Sequence, residues 1–362
     1  MIFDFFQRKP FGFNISDHSV ELVSLGGPIE RPKLFTLGRE ILEPFVVKEG
    51  KILAKEKLVI VLRKLIKNPQ FGRMKTKKCI FSFPEQKSFI HIFELDKNFQ
   101  KKDMEKIIKS EIASNFPFPL IDIYFDYRII NTEVILAACE KNILDGYLEV
   151  FQKTGLEVLA VEIELISLAR AFLGKIKEET LLIGDMGALT THLGIFTDGN
   201  LAVSISLPIG GEMLTQSLSK KLNISLSEAE NFKQEIGLNP EKKEGKVFLI
   251  LQKEIQRIIE EIQRMKDYFK KKTGKKIERV ILGGGGAALP HVTEYLSENL
   301  EVPVLIGDPW KKINIDVLKK KEYFKQALQI NPLLYGQSIG VALRGLMKNP
   351  TTVNVNLIKN TK

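Results

Sequence analysis

The strongest constraint on this chain is a pattern that occurs twice. Residues 11–25, FGFNISDHSVELVSL, and 181–196, LLIGDMGALTTHLGIF, share one plan: an apolar strand, an Asn or Asp, one spacer, a Ser or Gly, a polar turn ending in a hydroxyl, and a second apolar strand. Asn14 is followed by Ser16 and Ser19, and Asp185 by Gly187 and Thr190, so the spacing is the same in both copies. Two hairpins of one design, about half a chain apart in 362 residues, predict two related lobes, each large enough for its own core.

The segments around the hairpins extend this reading. After the second copy, Thr197–Asn200 turns into LAVSISLPIGGEML, a strand ending in Gly210 and Gly211. A helix opening at Ser225 or Ser227 and closing at Gly237 follows, and then a long one with Ile255, Ile258, Ile259, Ile262, Met265 and Phe269 on one face and a stop at Gly274. Residues 278–300 read as strand, glycine turn, helix. Residues 77–153 have a different texture, with a strand pair in KKCIFSFPEQKSFIHIFEL, an amphipathic helix and a second strand pair, and read as an inserted α+β subdomain. The expected organisation is a first lobe of 1–76, 154–179 and 333–350, the insert at 77–153, a second lobe of 180–220 and 277–332, a helical subdomain at 221–276 and a tail at 351–362.

Composition narrows the function classes. The net charge of +10 favours an acidic partner surface, but no basic, aromatic-interleaved motif accompanies it, so nucleic acid is not expected as a partner. The two cysteines lie in apolar runs, which suggests a reducing compartment and buried thiols. No apolar stretch reaches the roughly 18 to 20 residues of a membrane span, and MIFDFFQRKP lacks the order of a signal peptide, so a cytoplasmic location is expected. Within that opening stretch, Ile2, Phe3, Phe5 and Phe6 could give only a weak interfacial contact. His18, His91, His192 and His291 lack metal-ligand spacing, and neither a P-loop nor a GxSxG elbow is present, so no catalytic residue is assigned.

Phosphate needs closely approachable backbone N–H groups, and a nucleotide's magnesium needs carboxylates around its water shell. The second hairpin offers Asp185 for metal-bound water, Gly187 for close approach, and Thr190 and Thr191 as hydroxyl donors. The first offers Asn14, Ser16, Asp17 and Ser19, with Glu21 placed to repel a phosphate if it faces inward. The run Gly283–Gly286 supplies more glycine than one turn needs and reads as a backbone surface beneath an adenosine; it also satisfies the short G-x-G-x-x-A form of a dinucleotide turn.

Together these segments resemble the actin-like ATPase superfamily, in the branch of FtsA and the type IV pilus assembly family PilM, the latter more closely. The resemblance runs from FGFNISDHSVELVSL through LLIGDMGALTTHLGIFTDGNLAVSISLPIGGEMLT, SEAENFK, EIQRMKDYF and VILGGGGAALPHVTEYLSENLEVPVLIGDPW to YGQSIGVALRGL, and includes EIASNFPFPLIDIYFDYRII of the insert. It implies an α/β, actin-like two-lobed fold of duplicated ribonuclease-H-like domains, the α+β insert being the relocated subdomain 1C. It also implies ATP with Mg2+ held by the two hairpins, by Gly210 and Gly211, by Glu230 and Lys233 beside the nucleoside and by Gly284, Gly285 and Gly286, with Asp185 holding the metal through water. Further implications are a scaffold of type IV pilus or type II secretion-like assembly that grips the cytoplasmic tail of an inner-membrane PilN-like protein near subdomain 1C, and coupling to pilus motor and platform components.

The family usually has Asp, Gly and Lys where this chain has Asn14, Ser16 and Glu21. Loss of a charge-assisted phosphate contact costs about 1.5 to 3 kcal/mol, so binding weakened about a hundredfold and little or no hydrolysis are expected, and Glu21→Lys should tighten ATP. In the C-terminal NPTTVNVNLIKNTK, NVNLI resembles the core of the partner's tail, so Val355–Ile358 is expected either to dock into a neighbour's groove, giving self-association, or to stay an unattached tail. A small-molecule kinase of the superfamily lacks a local candidate for its catalytic carboxylate. An FtsA-like membrane filament would need a longer amphipathic end than NVNLIKNTK.

Overall fold

A computed structural model describes residues 9–96, 98–173, 179–319 and 330–359; the Ile2–Phe6 stretch lies outside them. In chain order the elements begin with β1 (Phe11–Ile15), β2 (Ser19–Gly26), β3 (Lys33–Ile41), β4 (Val47–Lys48), β5 (Lys51–Ile52), α1 (Lys55–Lys67) and β6 (Lys78–Phe83). They continue with β7 (Ser88–Glu94), α2 (Met104–Asn115), β8 (Ile123–Ile130), β9 (Glu133–Glu140), α3 (Lys141–Lys153), β10 (Glu157–Ile163) and α4 (Glu164–Leu173). The rest are β11 (Thr180–Met186), β12 (Thr191–Thr197), β13 (Asn200–Leu207), α5 (Gly211–Leu222), α6 (Leu226–Glu235), α7 (Lys246–Thr273), β14 (Arg279–Gly283), α8 (Val292–Leu300), β15 (Val304–Ile306) and α9 (Gly336–Leu346). The chain divides into two compact units, one running to Ala171 and resuming at Pro309, the other Phe172–Asp308.

Each unit is built on a five-stranded sheet, and the two sheets have one topology. The first orders β3-β2-β1-β6-β10 and the second β13-β12-β11-β14-β15, in both cases with an antiparallel meander on one side of the central strand and two parallel strands on the other. The duplication read from the two hairpins is therefore a duplication of whole sheets. β1 and β11 are buried along their entire length because they lie mid-sheet, which is why both read as largely apolar runs, with Asn14 in the first and Thr180 and Asp185 in the second.

In the first unit, β1 is covered by α9, every residue of which is buried. The approach is close at Gly12, where a Cβ would lie 2.0 Å from the Ser338 carbonyl oxygen, so no larger residue fits β1 there. α3 packs on the same sheet through aromatics: the Phe151 ring is 5.0 Å from Phe81 and 5.6 Å from Phe13, and Tyr147 is 5.0 Å from Phe81.

Three expectations need correction here. KKCIFSFPEQKSFIHIFEL is not a strand pair: β6 joins the first unit's main sheet beside β1, while β7 joins a separate three-stranded sheet, β7-β9-β8. That small sheet, with α2 and a core of Leu95, Met104, Ile108, Ile112, Ile123, Val134 and Leu136, is the inserted subdomain. β6 and α3 belong to the main sheet because their apolar faces are matched there, so the insert is shorter than 77–153. Second, the chain from Pro309 returns to the first unit rather than staying in the second lobe to residue 332; Leu34 N–H donates to the Asn314 carbonyl at 3.1 Å and Asn314 N–H to that of Pro32 at 2.8 Å. Third, Val355–Ile358 is neither an unattached tail nor extended to a neighbour: it is buried against β10 of its own chain, with Leu357 N–H donating to the Val161 carbonyl at 3.0 Å.

In the second unit, α6 starts on a Ser225–Glu228 capping box, which stabilises such a start by about 1 kcal/mol. α7 buries the periodic face from Val247 to Phe269 and ends on Gly274 at φ +73°, as the sequence pattern implies.

Candidate functional site

The two hairpin turns share one strand register, which shows which residues correspond. Asn14 pairs across the strands with Glu21, and Asp185 with His192. Each turn is closed by the same hydrogen bond, Ser16 N–H to the Ser19 carbonyl at 2.9 Å and Gly187 N–H to that of Thr190 at 2.8 Å. Each motif residue thus faces a buried titratable group seven positions on, Glu21 in one copy and His192 in the other.

In the first unit these groups are committed to one another. The Ser16 hydroxyl accepts from the N–H of Ser19 at 3.1 Å and of His18 at 3.3 Å, so amides that a phosphate would use are already satisfied. The Asp17 carboxylate accepts from the N–H groups of Glu49 and Gly50, at 2.6 and 2.9 Å, and fastens the β4–β5 turn. Glu21 accepts from Arg39 Nε at 3.0 Å and Asn14 Nδ2 at 3.3 Å, while Arg39 Nη2 also reaches Ser19 Oγ at 3.1 Å. Burial pushes the Glu21 carboxyl above its usual range, against the pull of Ser19, Arg39 and Asn14. The side chain is 3% exposed, so its charge is answered by Arg39. Asn14 keeps one buried atom without a partner, Oδ1. The first turn is a self-satisfied corner and a poor fit for a polyphosphate.

The second unit gathers most of its expected residues into one cluster. Gly284, at φ +75°, lies against β11 so closely that a Cβ would sit 2.4 Å from Asp185 Oδ1, which places the glycine run beside the motif carboxylate. This packing alone requires glycine at 284, and a Cβ at Gly286 would lie 2.8 Å from that of Met186; Gly285 is exposed. The Gly210–Gly211 turn is bound to the hairpin tip, with Gly211 N–H on the Gly187 carbonyl at 3.0 Å and Glu212 N–H on that of Ala188 at 2.8 Å. Lys233 Nζ donates to the Gly211 carbonyl at 2.9 Å, Thr215 Oγ1 at 2.8 Å and Glu230 Oε2 at 2.7 Å, so Glu230 and Lys233 brace α5 against α6. Partial burial works to raise the Glu230 pKa, but hydrogen bonds from Lys233, Thr215 and Gln234 hold it below the usual carboxylate range. Thr191 is set apart, its buried hydroxyl donating to the Ile209 carbonyl at 2.7 Å. Here the hairpin tip, residues 187–190, is half-buried and lies in one cluster with the Asp185 carboxylate and the glycine turn, and Gly187 has no hydroxyl to occupy the tip's amides as Ser16 does in the first copy.

Sequence reasoning missed Arg39 and His192. His192 was legible: it stands seven residues after Asp185 as Glu21 does after Asn14. Its Nε2 lies 3.0 Å from Thr190 Oγ1, its Nδ1 has no partner, and burial alone lowers its pKa from 6.5 to about 4. The unfolded chain takes up this proton near pH 6.5, whereas the folded chain resists it until about pH 4. The stability this gives is complete above 6.5 and is lost as pH falls toward 4, by about 3 kcal/mol. Urea unfolding followed by far-UV circular dichroism should show this acid slope, and His192→Gln should flatten it; an unchanged slope would mean the ring charges freely in the fold.

A family model described as type IV pilus assembly protein PilM matches residues 12–346. Among solved structures, a chain of a PilM–PilN type IV pilus biogenesis complex is similar with a TM-score of 0.78 and 20% identity, over 94% of this chain and 99% of that one. MreB5 of Spiroplasma citri bound to AMPPNP is similar with a TM-score of 0.51 and 14% identity, over 89% of this chain and 98% of that one. Cell division protein FtsA of Bacillus subtilis (strain 168) is 29% identical over 110 residues, 30% of this chain and only 25% of that protein's length. The structural likenesses establish an actin-like fold, in agreement with the duplicated sheets. With the family match spanning nearly the whole sequence, the chain belongs to the type IV pilus assembly protein PilM family.

Proposed function

We propose that this protein is a cytoplasmic actin-like scaffold of type IV pilus assembly, held at the inner membrane by gripping the short cytoplasmic tail of a PilN-like membrane protein and joining it to motor and platform components. The observation that carries this reading is the nearly full-length likeness to a chain of a PilM–PilN complex. Among the described residues no helix is long and apolar enough to cross a membrane, so attachment through a partner is the arrangement in keeping with the fold.

Nucleotide binding in this reading rests on the second unit. Asp185 would hold magnesium through water, and the 187–190 tip and Gly284–Gly286 would meet phosphate and adenosine; the bound metal would supply charge neutralisation. The fold neighbour solved with AMPPNP supports a nucleotide-binding ancestry. With Asn14 neutral and Asp17 committed to the β4–β5 turn, ATP is bound weakly and turned over little or not at all.

The test is calorimetry with the purified chain and a synthetic peptide of the cytoplasmic tail of the single-span membrane protein encoded beside it. A Kd in the micromolar range, about −8 kcal/mol, is expected. Absence of binding at millimolar peptide would overturn the scaffold reading.

A further inference from the structure

Five lysines crowd one corner of the second unit. Residues 270–276 read KKKTGKK, and Lys270, Lys271, Lys272, Lys275 and Lys276 are all exposed. The backbone that carries them is fixed at both ends. Phe269 and Ile277, which flank the run, are buried and anchor it to the core. Between them α7 stops on Gly274, whose N–H donates to the Lys270 carbonyl at 2.8 Å, while the Thr273 hydroxyl donates to that of Phe269 at 2.8 Å and accepts from Lys275 N–H at 3.2 Å. Lys275 Nζ reaches Thr197 Oγ1 at 3.0 Å and Asp198 Oδ2 at 3.1 Å, which ties the run to the β12–β13 turn. Among the described residues, Lys275 is the one lysine of the five with a carboxylate partner. Glu278, the next acid along the chain, has its carboxylate engaged by Thr180 N–H at 3.1 Å.

Helix architecture accounts for only part of this charge. A cation in the last turn of a helix is favoured by the macrodipole, which explains one or two of Lys270, Lys271 and Lys272. Lys275 and Lys276 lie beyond the Gly274 stop, where that effect has faded. Like charges gathered on seven residues repel one another, and Asp198 relieves Lys275 alone. An anionic surface relieves the rest once it comes within a Debye length, about 10 Å at 0.1 M salt. The side-chain type selects the surface. All five cations are lysines, compact point charges without arginine's planar fork, so the corner reads charge density and not the geometry of a single phosphate or a base edge. Tyr268, 56% exposed, stands three and four residues before Lys271 and Lys272 and so on the same helix face; it is an aromatic with a polar tip, the kind of side chain that settles among lipid headgroups.

We propose that this corner is a docking surface for a bilayer leaflet rich in anionic phospholipid, the five lysines meeting headgroup phosphates and Tyr268 entering the headgroup layer. Resting on the scaffold reading for the protein's place at the inner membrane, this contact deepens it: the second unit touches the lipid itself, apart from the partner's tail. A lysine close to an anionic surface is worth about fivefold in affinity, so five give an association constant with lipid on the order of 10³ M⁻¹. Such a contact is reversible, half-saturates at about a millimolar lipid, and fades as salt shortens the Debye length toward about 3 Å at 1 M.

The probe is a sucrose-loaded vesicle of phosphatidylcholine, alone or with about a third phosphatidylglycerol, sedimented with the full-length chain and no partner peptide. Binding to the anionic vesicles at about 0.1 M salt, its loss at about 0.5 M, and none to the neutral vesicles are expected. Lys271→Gln, Lys272→Gln and Lys276→Gln together should weaken binding about a hundredfold. Lys101→Gln, Lys102→Gln and Lys106→Gln, which remove the same charge from exposed positions at the start of α2, should change it less than about threefold. All six side chains are exposed and have no ion pair among the described residues, so both variants should keep the wild-type circular dichroism. Equal losses in the two variants would reduce the effect to net charge and overturn the inference, as would wild-type chain that ignores the anionic vesicles or binds the neutral ones as well. Release from the vesicles by duplex DNA at about a tenth of the lipid phosphate would assign the corner to nucleic acid and overturn it too. Failure here with the tail peptide still bound would leave the scaffold reading standing, and vesicle binding without peptide binding would do the reverse.

Discussion

Arg344→Ala is expected to destabilise the first unit by about 3 to 5 kcal/mol, because three buried carbonyls lose their donor at upwards of about 1 kcal/mol each. The side chain is 0% exposed and donates to three carbonyls while also meeting Glu162. Glu162 would not be stranded, because Arg170 holds both its oxygens; although its burial works in the opposite direction, the charges of Arg170 and Arg344 keep the Glu162 pKa below the usual carboxylate range. The loss therefore falls mainly on the carbonyls of Pro350, Asn354 and Val355, and with them on the seating of the C-terminal segment. The single tryptophan, Trp310, lies in the first unit, its ring 6.3 Å from Tyr335, so its emission reports that unit's unfolding while circular dichroism reports both units. The tryptophan transition should move to markedly lower urea with the remaining dichroism transition unmoved. A shift of less than about 1 kcal/mol would mean that water replaces Arg344 at all three carbonyls.

Much of this fold was legible because its information is local. The hairpins repeat a period-two pattern with fixed turn spacing, the 3.6-residue period of α7 marks its buried face, and Gly274 marks its end. Sheet membership was less legible. β6 and β7 are adjacent in sequence and equally apolar, yet β6 lies buried between β1 and β10 whereas β7 is half-exposed on the insert, and only packing decides that. The candidate site divides along the same line. Asp185, Gly187 and Gly284 came from motifs whose geometry is encoded nearby. Arg39 and Arg344 answer Glu21 and the C-terminal carbonyls from other elements, and no spacing in the sequence connects them.

Glu21→Lys was expected from sequence to restore a phosphate contact and tighten ATP; the structure reverses that expectation. Glu21 is 3% exposed and paired with Arg39 at 3.0 Å, so a lysine there would set two cations together where an ion pair stood. Arg39 remains 23% exposed and can turn part of its charge to water, which places the cost near the lower end of the range for a broken buried pair, about 3 kcal/mol. Asn14 Nδ2 would lose its acceptor as well; a lysine can donate to the unpartnered Asn14 Oδ1 instead, but Arg39 would still face a cation where its carboxylate stood. The tryptophan-reported transition should therefore drop, and calorimetry with magnesium and ATP should show affinity no tighter than that of the wild-type chain. Glu21→Gln separates charge from shape: it keeps an acceptor for Arg39 and Asn14 and should lose well under half as much stability. Tighter ATP binding by Glu21→Lys at unchanged stability would mean that position 21 is open to the phosphates and that Arg39 is not its partner in solution.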